Sequence, residues 1–178
     1  MENKGVVLQR KQPREFVINY PYGDRGNKEY KFMGTRGDRV YEREVPMDVF
    51  EWLTQYTTTI KDGELIIKPE EVESNEDVYY IREGIENIDQ MEEAILTKEE
   101  IINILETGNH NVLKKKLREL TENKVEEVAK AIRKQFLEVA GEVGIDSSAK
   151  RQALCNWLNV DFEISDVIFD KNIEDLHN

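Results

Sequence analysis

From Thr121 to Gly144 the chain reads "TENKVEEVAKAIRKQFLEVAGEVG", and Val125, Val128, Ala129, Ile132, Phe136 and Val139 recur at steps of three and four. That spacing lays the apolar residues along one stripe of a helix, whereas a strand would scatter them over both faces. The segment therefore predicts a long helix, opened at Thr121 and ended by Gly141 and Gly144. A single amphipathic helix has nothing to bury its stripe against, so the neighbouring segments must supply partners. Upstream, Thr97 and Glu100 in "TKEE" match a capping box, and Ile101, Ile102 and Leu105 line the helix that follows until "TGNHN" stops it. "VLKKKLREL" (112–120) puts Leu113, Leu117 and Leu120 on one side. Ser147 or Ser148 caps a last helix in which Ala153, Leu154, Trp157 and Leu158 face inward. Short loops join these segments, which predicts a helical bundle over 97–160.

The first third follows the other period. "EFVINY" (15–20), "KEYKFMG" (28–34) and "DRVYEREV" (38–45) are β-prone, and the second and third alternate apolar with charged residues. Between them "PYGDRGNK" and "GTRG" carry turn chemistry, so 34–37 is read as a hairpin turn between two of two or three antiparallel strands. Pro46 suits the first turn of a short helix, "PMDVFEWLTQYT", with Val49, Phe50 and Leu53 on its apolar face. Asp62-Gly63 in "TTTIKDGELIIK" signals a further hairpin. The fold class expected is α+β: a β-rich unit over 1–68 with a small antiparallel sheet and a short helix, then the C-terminal bundle.

The net charge of −12 is unevenly spread, for Arg82 is the only basic residue between 69 and 93. Residues 69–96 are read as an acidic linker that admits an edge strand at "VYYI" (78–81), and 161–178 as an acidic C-terminal arm or strand that gains order against a neighbour. This balance repels a phosphate backbone, so nucleic acid is not the expected partner. No apolar run approaches the roughly 20 residues of a membrane span, and the first sixteen residues hold no signal-peptide core, so the reading is intracellular without membrane association. Hydrophobic residues make up 39%, enough for a core. Cys155, the only cysteine, reads as a small buried hydrophobe.

Candidate chemistry is sparse. Arg36-Gly37-Asp38 matches an adhesion tripeptide, but adhesion requires an exposed loop on an extracellular protein. "GDRGNKEY" and "GTRGDRVY" both miss the spacing with which a phosphate-binding loop aims its amides and lysine. Lys28, Lys31, Arg36, Arg39 and Arg43 interleave with Tyr22, Tyr30 and Tyr41 as a nucleic-acid-stacking sheet would, yet five acids share the stretch. In "HNVLKKKLREL", Lys114, Lys115, Lys116 and Arg118 flank the apolar stripe and could dock an acidic neighbour, either segment 69–93 of this chain or that of another copy. Two distant histidines and one cysteine do not make a zinc site, and "DKNIED" lacks the frame of a calcium loop. The expectation is a protein that is not an enzyme, with no catalytic, metal or cofactor residues and no cofactor.

One resemblance adds to this. "LTKEEIINILETGNHNVLKKKLRELTENKVEEVAKAIRK", then "SSAKRQALCNWLNVDFE" with Trp157, Val160, Asp161 and Phe162, is similar to small proteins from the structural modules of tailed bacteriophages of low-GC Gram-positive hosts; "GTRGDRVYEREVPMDVFEWL" shares the style. The resemblance implies a non-catalytic virion component of head, neck or tail, assembled in the bacterial cytoplasm and contacting other virion proteins in multiple copies. The alternative is a phage-encoded regulator or anti-defence protein that binds a host protein or nucleic acid. Candidate partner contacts are Arg36, Arg39, Lys114, Lys115, Arg118, Phe162 and Phe169.

Overall fold

A computed structural model of the chain describes residues 4–170 and divides it into two units, Met1–Lys98 and Glu99–Asn178. The fold is α+β, with small antiparallel sheets at the N-terminal end followed by helices.

In the first unit, strand β1 (Val6–Arg10) lies in the middle of a three-stranded sheet, between β4 (Tyr41–Val45) and β5 (Ile66–Ile67), antiparallel to both. Its side chains alternate: Val6 and Leu8 are fully buried, and Arg10 continues the inward row. A buried guanidinium needs its charge and donors satisfied. Arg10 Nη1 donates to the carboxylate and the carbonyl of Glu64, both at 2.7 Å, and Nε donates to the Arg14 carbonyl at 2.9 Å. The guanidinium carbon lies over the Phe16 ring, 5.3 Å from its centroid. Strands β2 (Phe16–Pro21) and β3 (Asn27–Phe32) form a separate hairpin, in register from Phe16–Phe32 to Pro21–Asn27.

The expected hairpin at 34–37 is not formed. β4 pairs with β1, and residues 33–40 carry the chain from one sheet to the other. Thr35 pins this crossing: its N–H and its hydroxyl donate to the carbonyls of Gln12 and Lys11, at 3.0 and 2.8 Å. Gly34 permits the approach, since a Cβ there would stand 1.7 Å from the Pro13 carbonyl oxygen. Asp62-Gly63 does turn, with Gly63 at φ 71°, but the arm before it is not a strand and β5 pairs with β1. Local turn chemistry fixes a reversal without naming the strand's partner.

Helix α1 (Met47–Tyr56) buries Val49, Phe50 and Leu53 as expected. The larger correction concerns 69–96, which is neither linker nor edge strand. It forms α2 (Pro69–Ser74), α3 (Glu76–Glu83) and α4 (Ile88–Ala94). "VYYI" is helical because Asn75 Oδ1 accepts the Asp77 and Val78 N–H groups and Glu76 and Asp77 face the positive end of the helix. Val78 and Ile88 belong to the same core as Val6, Phe32 and Phe50.

The second unit is helical. α5 (Lys98–Glu106), α6 (His110–Thr121), α7 (Glu126–Val143) and α8 (Ser148–Leu158) match the expected bundle, except that α7 begins five residues after Thr121 and runs through Gly141, so that Gly144 alone ends it. Asn109 and Ser147 cap α6 and α8 through their side chains. Phe136, fully buried, meets Trp157 edge to face at 5.2 Å, and Trp157 Nε1 donates to Thr121 Oγ1 at 3.1 Å. The expected C-terminal arm packs within this unit as far as it is described. A 3-10 turn at Phe162–Ile164 leads into α9 (Ser165–Phe169), and Phe169 is fully buried. Arg151 fastens it by donating to the Ile145 carbonyl, Asp166 and Asp170, while Ile145 N–H donates to the Phe169 carbonyl at 3.0 Å. Residues 171–178 of that arm lie outside the described residues.

Candidate functional site

The features that can engage a partner are helix faces, and α3 carries the most distinctive one. Glu76, Tyr79, Tyr80 and Glu83 recur at i, i+3, i+4 and i+7, so they share one side of the helix, opposite buried Val78. Tyr79 and Tyr80 are 44% and 64% exposed and meet edge to face at 5.5 Å. Aromatic side chains of this kind anchor protein interfaces because a large apolar body carries a polar tip. Exposed Glu70, Glu73, Asp77, Glu86, Asp89 and Glu93 surround the face on α2–α4.

Arg82 holds this acidic layer together. Its Nη2 donates to Glu92 and Asp89, both at 2.5 Å, its Nε reaches Glu92 at 3.1 Å, and Nη1 reaches Glu83 at 3.0 Å. The hydrogen bonds to Glu92 and then Asp89 push the guanidinium pKa further up. One basic residue thus ties α3 to α4, while Glu70, Glu73, Asp77 and Glu93 stay exposed.

The second unit presents the opposite chemistry on α6. Leu113 and Leu117 are buried, and Lys114, Lys115, Lys116 and Arg118 are all exposed. Val112, 49% exposed, shares a face with Lys115, Lys116 and Glu119 at the same i, i+3, i+4, i+7 spacing. Lys115 meets Glu119 at a loose 4.0 Å.

The sequence-predicted contacts fare unevenly. Arg36 and Arg39 are exposed on either side of the Gly37-Asp38 turn in the first unit, and Lys114, Lys115 and Arg118 are exposed in the second. Phe162 is half-buried. Phe169 is withdrawn as a contact, because it fills the core beneath α7 and α8. Sequence reading missed Tyr79 and Tyr80 because it took them for a strand. The i, i+3, i+4, i+7 pattern of Glu76, Tyr79, Tyr80 and Glu83 was the signal that could have found them.

Elsewhere the polar groups serve the fold. A cleft of about 270 Å3 in the second unit is lined by Ile102, Leu105, Val143 and Ile145, but Lys150 at its rim donates to the Leu105 and Glu106 carbonyls and so closes the end of α5. Cys155 is fully buried, as its sequence context predicts, and burial pushes its thiol pKa up. Among the described residues no three His, Cys, Asp or Glu side chains stand together as a metal site, and no helix is long and apolar enough to cross a membrane.

The first unit, with its short central strand, crossing loop and acidic helices, is similar to a domain that points to a phage-associated protein. The match is to the YonA N-terminal domain and covers residues 4–87. It runs from β1 through α3, which places α2 and α3 inside the domain and not in a linker. The phage association expected from the sequence is supported by this match in the first unit. No curated protein and no solved structure matches the chain.

Proposed function

We propose that the chain is a non-catalytic structural component of a tailed-phage virion, at the head, neck or tail, that works through contacts with other virion proteins in multiple copies. The observation that carries this reading is the phage-related domain at residues 4–87 joined to exposed, oppositely charged helix faces. Such faces, the acidic aromatic side of α3 and the basic side of α6, suit a subunit that meets neighbours of complementary charge. Assembly would take place in the bacterial cytoplasm, with the protein ending in the particle. Quantitative mass spectrometry of purified particles tests the reading. The chain is expected at a fixed stoichiometry to the major capsid or tail protein, and its absence from particles would overturn the proposal.

A second reading, a phage-encoded regulator or anti-defence protein, draws on the β2–β3 hairpin, where Arg25 lies over exposed Tyr22 and Lys28 and Lys31 are also exposed. Stacking and phosphate contact by these residues would give DNA or RNA binding with a steep salt slope in a filter-binding titration. Absence of such binding leaves the hairpin as a mixed-sign sheet surface, with Glu15 paired to Lys31 at 2.8 Å.

A further inference from the structure

We propose that the Glu76/Tyr79/Tyr80/Glu83 face of α3 in one copy seats on the Val112/Lys115/Lys116 face of α6 in a second copy. The inference rests on the reading of the chain as an assembly subunit and names one of its partners: the chain itself.

The α3 face has an exposed aromatic centre, the Tyr79–Tyr80 pair, between glutamates, and on the α6 face exposed Val112 stands at one end, followed by Lys115, Lys116 and Glu119. The two charges are opposite, and each face is exposed on its own unit. Tyrosines supply area that is withdrawn from water on docking, and the surrounding charges orient the encounter and reject like-charged faces. Glu76 and Lys116 have no ion partner among the described residues. Glu83 and Lys115 would exchange exposed intramolecular pairs for intermolecular ones, a small change in free energy.

The two surfaces are different, so the contact is heterologous: each copy offers α3 to one neighbour and α6 to another. Repeated, such a contact closes into a ring or extends as a filament. An eight-residue helix is only about 12 Å long, so one contact is weak and gains strength by repetition.

Sedimentation analysis of the purified full chain, from about 50 mM to about 500 mM salt, tests this. Concentration-dependent association is expected at low salt and is expected to weaken as salt rises. Two charge reversals, K115E/K116E and E76K/E83K, should each lower the association constant about tenfold or more. The quadruple variant carries both inverted faces and should regain association, which separates loss of contact from loss of fold. Each variant is checked by circular dichroism. A wild-type chain that stays monomeric at low salt would overturn the proposal, as would association indifferent to both reversals. A folded quadruple variant that fails to regain association would do the same. None of these outcomes bears on whether the chain is present in particles, which mass spectrometry answers separately.

Discussion

Replacing Arg82 by methionine keeps most of the stem and removes the charge that joins α3 to α4. The Arg82 side chain is 12% exposed and its main partner, Glu92, is 20% exposed, so this pair is largely withdrawn from water. Breaking a fully buried pair costs about 3–5 kcal/mol, while exposed pairs contribute under about 1 kcal/mol. With Glu92 left nearly buried and its neighbours Asp89 and Glu83 in water, a loss of about 2–3 kcal/mol is expected. At a urea slope of about 2 kcal/mol per molar, that moves the midpoint of the first unit down by roughly 1 M. Trp52 in α1 reports this unit once Trp157 is replaced by phenylalanine, and the transition is read by fluorescence. E92Q should cost less alone, and R82M with E92Q should cost less than the sum, since the one carboxylate withdrawn from water is gone and Asp89 and Glu83 are exposed. The deficit should persist in high salt, because the contacts lie at 2.5–3.2 Å. A midpoint shift below about 0.2 M, or a deficit erased by salt, would show that Arg82 merely dilutes a repulsive surface and does not hold the two helices together.

Other expectations follow from the same geometry. Gly34→Ala drives a Cβ into the Pro13 carbonyl and should cost about 3 kcal/mol or misplace the crossing, whereas Gly37→Ala, in open space at φ 63°, should cost only about 1 kcal/mol; urea midpoints compare them. The hydrogen bond from Lys68, then that from Gln9, holds the Glu42 carboxyl below its ordinary pKa. Its contribution is therefore present above the ordinary glutamate range and is lost as pH falls through the depressed value. Glu42→Gln should accordingly make the first unit's stability less sensitive to pH in that acidic window, read as urea midpoints against pH. Cys155 should react with a thiol reagent at the rate at which the second unit opens, and fast labelling of the native protein would contradict its burial.

Legibility in the sequence followed the range of the interactions. The second unit was readable because its helices announce their buried residues within one turn: Leu113 and Leu117, or Val128, Ile132 and Phe136. The first unit depends on distant partners. Val6–Arg10 is bracketed by charged residues and looks like a tail, yet it pairs with residues 31 or more positions away. "VYYI" has strand propensity, and what overrides it is an asparagine cap together with a helical burial pattern. The basic side of α6 was visible from the lysines alone. The acidic side of α3 was hidden behind the wrong period, and the burial of Phe169 depends on a tertiary path that its own neighbours do not reveal.

The central place of β1 has a consequence for synthesis. The strand emerges from the ribosome ahead of both strands that flank it, and the farther one arrives only when Ile66 and Ile67 have been made. Until then its unpaired amides and its Val6/Leu8 edge stand open to any other nascent chain. Slowing translation between residues 45 and 67 should therefore favour entangled dimers over correct pairing within one chain, a hazard that follows from strand order and not from the strength of any one bond.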